Sequence, residues 1–235
     1  MALPKLNTAK YETTIPSTGR TVEYRPYLVK EEKILMIALE SQDQKAVLRA
    51  VKDVIESCVF DKINVNNLAI FDVESLFLSL RSKSVGEGVD VNIKCEKCEG
   101  ENQYKVDLEE IAIPDIGEQD KNIMLTDGVG VTMRYPSFKD MEGIGSEELE
   151  SVKGVMKLIT NCIDSVYDKE SVYKGSDQSK EEMNDFIENL NSEQFKKLSD
   201  WFEGMPSISH TIEFDCISCK AENKQILRGL QSFFT

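Results

Sequence analysis

Two short segments constrain this chain more than anything else in it. Cys95-Glu-Lys-Cys98-Glu-Gly-Glu-Asn102 and Cys216-Ile-Ser-Cys219-Lys-Ala-Glu-Asn223 share the pattern C-x-x-C-x-[GA]-E-N, 121 residues apart. Each follows an alternating apolar stretch, Val89, Val91 and Ile93 in one case and Ile212 and Phe214 in the other. Alternation with period two is the signature of a half-buried strand. Each CxxC is therefore predicted in the turn of a β-hairpin, the shape of a zinc knuckle.

The matching extends upstream. Val22-Glu-Tyr-Arg25 and Val131-Thr-Met-Arg134 both follow a glycine-containing turn, at Gly19 and Gly128, and run through a proline, Pro26 or Pro136. They then enter Lys30-Glu31 and Lys139-Asp140, which reads as a hairpin leading into helix. Two apolar helical faces follow: Val47, Leu48, Val51, Val54, Ile55, Cys58 and Val59, against Val152, Val155, Met156, Ile159, Cys162, Ile163 and Val166. They close on Val59-Phe-Asp-Lys62 and Val166-Tyr-Asp-Lys169. A second, shorter helix is predicted before each knuckle, through Val73, Leu76, Phe77 and Leu80 or Phe195, Leu198, Trp201 and Phe202. An acidic helix-forming insertion around Ser179–Asn189 accounts for the greater length of the second half. The expected fold is α+β, a tandem duplication of a hairpin–helices–CxxC-hairpin unit. Residues 1–118 would form the first repeat and 119–235 the second, the two acting as one cooperative unit.

Zn²⁺ takes four ligands in a tetrahedron, and each knuckle supplies two thiolates. The offset of 118 from Cys98 to Cys216 excludes a ribbon local in sequence, where the gap is roughly 15–20 residues. A duplicated chain can still bring its knuckles face to face. Cys95, Cys98, Cys216 and Cys219 are then the ligands of one structural Zn²⁺ per chain, a clasp between the repeats. Two separate sites with further ligands are the alternative, although His210 is the one histidine and reads as an ordinary strand residue. A thioredoxin-type redox pair needs a helix N-terminus beside the cysteines, and strands are expected there instead. Cys58 and Cys162 read as small buried hydrophobes.

No catalytic constellation stands out. No G-x-S-x-G surrounds a serine, and Asp127-Gly-Val-Gly130 lacks the Lys-Ser/Thr of a P-loop. Carboxylate runs such as Glu147-Glu-Leu-Glu150 read as solvated helix faces. The chain carries 42 Asp and Glu against 28 Lys and Arg, a formal charge of −14. That is the wrong sign for gripping a phosphate backbone or an anionic membrane. The longest apolar run, Ile34–Leu39, is far short of a membrane span, and the N-terminus has no signal-peptide core. These features predict a non-enzymatic protein of the reducing cytoplasm that works through protein contacts, with Leu3, Leu6 and Leu230–Phe234 as exposed apolar candidates, the terminal Phe233 and Phe234 reading first as core and second as a docking pair. A zinc-ribbon nucleic-acid-binding or transcription accessory protein is the alternative. It would rest on Lys94, Lys97 and Lys105 at the first knuckle and Lys220, Lys224 and Arg228 at the second. A hydrolase is the third reading, and it would need a deep pocket with two converging acids.

The stretch Leu3-Pro-Lys-Leu-Asn-Thr-Ala-Lys-Tyr-Glu-Thr-Thr-Ile-Pro-Ser-Thr-Gly19, with Val22–Lys33 and Leu35–Ser41 after it, resembles the baseplate hub assembly proteins of T4-like contractile-tailed bacteriophages. The resemblance covers most of the chain, knuckles included. It implies a late viral protein, in the host cytoplasm or in the virion's tail baseplate. Its partners would be other hub or tail proteins, and its role that of an assembly chaperone or hub component. No family catalytic residue is carried over.

Overall fold

The computed structural model describes residues 7–108, 110, 111, 119–142 and 151–229. The apolar ends at Leu3, Leu6 and Leu230–Phe234 and the carboxylate run at 147–150 lie outside them. The chain is mixed α+β, with small antiparallel sheets. Its contacts divide it into two compact units that do not follow the sequence boundary at 118/119. One draws on Met1–Val65, Phe71–Asp115 and Pro206–Thr235, the other on Asn66–Ile70 and Ile116–Met205. The second knuckle hairpin thus clusters with the first half of the chain.

The first unit opens with the hairpin β1 (Tyr11–Ile15) and β2 (Arg20–Tyr24). Its turn places Gly19 at φ +66°, where a side chain would be strained. Helices α1 (Val29–Glu40) and α2 (Gln44–Cys58) follow. Asp43 starts α2 by accepting the Lys45 N–H. The predicted face of α2 turns inward, with Val51, Val54, Ile55 and Cys58 buried. After Cys58 the backbone makes one antiparallel bridge, Val59 to Tyr24. Helix α3 (Ile70–Val85) is longer than the short helix expected there and is buried on most sides, with Asp72, Ser75 and Ser82 inside alongside its apolar residues. Such a helix needs partners on several sides. Its buried Asp72 accepts both the Ser17 N–H, at 2.8 Å, and the Ser17 hydroxyl, at 2.6 Å, tying the β1–β2 turn to the helix start.

The knuckle hairpins complete this unit. Strands β3 (Gly88–Lys94) and β4 (Glu101–Asp107) pair antiparallel, as do β9 (Ser209–Asp215) and β10 (Glu222–Arg228). Strand β3 alternates exposed and buried along its whole length, as the sequence predicts. Val89, Val91, Ile93, Val106, Ile208 and Ile212 join Leu78 of α3 in one apolar cluster, with Tyr104, Phe214 and Leu227 against it.

The second unit is built on a four-stranded antiparallel sheet: β5 (Asn122–Met124), β6 (Gly130–Met133), β7 (Ile163–Tyr167) and β8 (Val172–Lys174), in that spatial order. Short α4 (Phe138–Glu142) follows β6, and α5 (Val152–Asn161) starts on a Ser151 cap. Here the sequence reading needs correction. The helical face expected to run through Val166 stops at Asn161, and Ile163 and Val166 belong to strand β7, paired with β6. The spacing of Ile159, Cys162, Ile163 and Val166 fits a helix, but residues 163–167 are largely β-branched or aromatic and pair well across a sheet. The acidic insertion does form a helix, α6 (Lys180–Glu188), started by a reciprocal Ser179–Glu182 capping box. Helix α7 (Ser192–Glu203) follows. Leu125, Val131, Met133, Ile159, Cys162, Ile163, Met183, Ile187, Leu198 and Trp201 form this unit's core.

Each unit contains the same arginine bracket. In the first, Arg25 pairs with Glu31 at 2.9 Å, donates to the Ser57 carbonyl at 3.0 Å, and gives its backbone N–H to the Cys58 carbonyl. In the second, Arg134 pairs with Asp140 at 2.7 Å, donates to the Asn161 carbonyl at 2.6 Å, and gives its N–H to the Cys162 carbonyl. By these contacts Cys58 corresponds to Cys162, and the Val59–Tyr24 bridge to the Ile163–Met133 pair. The sequence match of Val59-Phe-Asp-Lys62 with Val166-Tyr-Asp-Lys169 is therefore displaced by three positions.

Candidate metal centre

Both CxxC segments sit in hairpin turns of the first unit, and the turns repeat one another bond for bond. Cys95 N–H donates to the Gly100 carbonyl and Cys216 N–H to the Ala221 carbonyl, both at 2.9 Å. Glu99 N–H donates to the Cys95 carbonyl and Lys220 N–H to the Cys216 carbonyl, again at 2.9 Å. Glu99 and Lys220, at the same place in each turn, have φ of 56° and 57°. That left-handed conformation is uncommon outside glycine. In the first turn Gly100 leaves room, since a Cβ there would crowd Ser218 Oγ at 3.0 Å and Cys98 Sγ at 3.2 Å.

The four knuckle sulfurs meet. Cys95 Sγ is 3.7 Å from Cys219 Sγ, Cys98 Sγ is 3.6 Å from Cys216 Sγ, and all four lie within 4.8 Å of one another. Four Zn–S bonds of about 2.3 Å in a tetrahedron place the sulfurs roughly 3.8 Å apart, so the cluster has the size of a four-thiolate metal site. Cys95 and Cys216 are buried, while Cys98 and Cys219 are exposed, which puts the cluster at the surface.

The thiols are electrostatically unequal. Cys216 is drawn down to about 6, led by the Cys219 N–H that donates to its sulfur. Burial works against ionising Cys95, yet the N–H groups of Lys97 and Cys98 with the Asn223 amide bring it below the ordinary thiol value. The Gly100 N–H favours ionised Cys98, but its Cys219 and Cys216 neighbours outweigh it and raise that thiol to about 12. Four sulfurs this close cannot all carry charge unless a cation shares the site.

The other two cysteines lie elsewhere. Cys58 and Cys162 are fully buried, and burial raises their thiols to about 11 and about 12. His210 lies on β9 opposite Leu227. Around the knuckles the basic residues are interleaved with acids: Lys224 pairs with Glu213 at 2.7 Å, and Asp215 and Glu222 share its shallow surface. In the second unit a cavity of about 730 Å³ holds Arg134, Lys157, Lys174 and Lys180. Asp164 is the only carboxylate among the described residues lining it. No helix among the described residues is long and apolar enough to cross a membrane.

Sequence reasoning missed one surface. Helix α1 buries Glu31, Leu35 and Ala38 and leaves Val29, Ile34, Met36, Ile37 and Leu39 exposed, Val29 at 79%. The signal was the uninterrupted run Ile34–Leu39, because six apolar residues in succession point to every side of a helix and only one side packs inward.

Fold and site together define a small α+β protein whose two CxxC knuckles, distant in sequence, close on one another. A family model described as T4 bacteriophage base plate protein matches residues 8–235, and the chain belongs to that family. No curated protein and no solved structure matches it.

Proposed function

We propose that the chain is a non-enzymatic factor in assembly of the phage tail baseplate hub, as chaperone or as hub component, and that Cys95, Cys98, Cys216 and Cys219 hold one structural Zn²⁺ in a zinc-ribbon-like clasp. Family membership over residues 8–235 supports the baseplate role. The mutual approach of the four sulfurs supports the metal. Four protein ligands leave no open position for substrate or water, so the ion's part is to hold the two hairpins together.

The exposed apolar side chains of α1 support action through protein contacts, since exposed apolar surface of this kind marks interaction sites. The partners are other hub and tail proteins, met in the host cytoplasm after late synthesis, with the tail baseplate as destination. The matched arginine brackets and knuckle turns support descent of the two halves from one duplicated unit. Two measurements test this reading. Metal analysis of the purified protein is expected to give close to one zinc per chain, and a value near zero overturns the metal assignment. A pull-down against hub and tail-tube proteins is expected to capture at least one, and capture of none overturns the assembly role.

A further inference from the structure

The asparagine that closes each motif does not serve its own turn alone. Asn102 and Asn223 are 4% and 7% exposed, and a buried side-chain amide has to find partners for one acceptor and two N–H donors. Asn102 spends one donor locally, on the Gly100 carbonyl at 2.8 Å, and Asn223 does the same with the Ala221 carbonyl at 2.7 Å. That would suffice to close a turn. The oxygens go elsewhere. Asn102 Oδ1 accepts the N–H of Ile217 at 2.9 Å, and Asn223 Oδ1 accepts the N–H of Glu96 at 3.1 Å. Ile217 and Glu96 each follow the first cysteine of the opposite knuckle. Asn102 Nδ2 also lies 3.8 Å from Cys216 Sγ, and Asn223 hydrogen-bonds Cys95. Each asparagine therefore reaches across to the backbone and the first sulfur of the other motif, and the two contacts exchange when the knuckles are exchanged.

We propose that Asn102 and Asn223 are the positioning residues of the four-cysteine cluster. Each fixes the opposite knuckle's first cysteine and donates to its sulfur, so the thiols converge only when both hairpins are paired. The proposal deepens the metal reading above and rests on it for the consequence in metal affinity, but the brace itself is a statement about thiol placement. Aspartate is the informative replacement. It keeps the acceptor for the facing N–H and nearly the same volume, but loses both donors and sets a negative charge beside the sulfurs.

The test uses the full-length chain as wild type, Asn102→Asp, Asn223→Asp and the double variant, with Asn102→Gln as a variant that keeps the amide but moves it by one methylene. Co²⁺ is the probe, because its visible and thiolate charge-transfer bands report the sulfur geometry directly. Outer-shell substitutions at metal sites cost roughly 10–100-fold in affinity, and each Asp variant is expected to lose that much and to shift the bands. Circular dichroism and thermal melting in excess metal check that the fold is kept. A metal-independent arm treats the chelated protein, at a temperature where circular dichroism shows it still folded, with a short thiol-bridging reagent and maps the products by mass spectrometry. Wild type is expected to yield links from Cys95 or Cys98 to Cys216 or Cys219, and the Asp variants mainly links within one knuckle. Equal cross-knuckle linking in wild type and folded variants overturns the brace. Wild type that links across the knuckles, loses this in the variants, and binds no Co²⁺ leaves the brace standing and removes the metal reading alone.

Discussion

Glu31 is a strongly displaced carboxylate of the first unit. Burial would raise it, but Arg25, the Leu28 N–H and Lys30 hold it at about 2, against an ordinary value of 4.5. A folded value below the unfolded one contributes stability above the unfolded value, and that stability is lost as pH falls from about 4.5 towards 2. Glu31→Gln is therefore expected to lower stability near neutral pH by about 1.5–3 kcal/mol, because it leaves the Arg25 guanidinium with carbonyl acceptors but no counter-charge. The same variant should flatten the acid limb of a urea-denaturation series between pH 4.5 and 2; a limb as steep as wild type would show that Glu31 is not its source. Asp140 is lowered by the same kind of arginine contact against its own burial. Arg134 is 39% exposed where Arg25 is 13%, so Asp140→Asn should cost less in the same assay. Both acids were legible as Lys30-Glu31 and Lys139-Asp140. The arginines' reach to carbonyls at 57 and 161 was not, since no local spacing rule links positions some thirty residues apart. The cysteines were legible because a two-residue spacer is itself geometric; the asparagines were visible as a motif letter without a role, because their partners belong to the other motif.

At the scale of elements, the knuckle hairpins owe their pairing to inward faces rather than to the cysteines alone. Ile212 is fully buried in that cluster. Ile212→Ala is expected to cost about 2–5 kcal/mol and to speed metal loss to a chelator. An unchanged release rate in that variant would mean that strand packing does not support the site. Helix α1 carries the opposite kind of prediction. Met36→Lys with Ile37→Glu touches side chains that are 57% and 56% exposed, and exposed substitutions usually stay within about 0.5 kcal/mol. The melting temperature should hold while capture of hub partners is lost; retained capture would move the interface off α1. Element boundaries were read less well than element types. At Cys162 two periods overlap, and the deciding contact is tertiary: Arg134 on β6 takes both the Asn161 and Cys162 carbonyls, ending the helix where a ladder can begin. Arg25 takes the Ser57 and Cys58 carbonyls in the same way, and helix α2 likewise ends at Cys58, where a single bridge from Val59 to Tyr24 stands in place of the ladder.

For the whole molecule, the strongest prediction concerns the metal. Binding energies of structural zinc are on the order of 10–16 kcal/mol, comparable to or above the stability of an entire domain at about 5–15 kcal/mol. A strong chelator is therefore expected to lower the melting temperature markedly and to increase protease cleavage near the knuckles. Chelation that leaves both unchanged would show that the apolar cluster suffices without the ion. The two-part division was not readable from sequence, because the repeat pattern records which segments match and not which ones pack together. The second half of the chain keeps its own sheet and core, yet its knuckle hairpin belongs to the unit formed by the first half.

That placement has a consequence for synthesis. The first knuckle leaves the ribosome with no counterpart to close on, and Cys216 comes 118 positions after Cys98. At about 5–20 residues per second the wait is roughly 6–24 s, during which Cys95 and Cys98 are reachable by any soft metal or oxidant. A chain cut short before Cys219 can never close the cluster. The sulfur cluster can thus form only after translation has run through the second knuckle, and pulse-labelled nascent chains should become resistant to thiol alkylation only after that point.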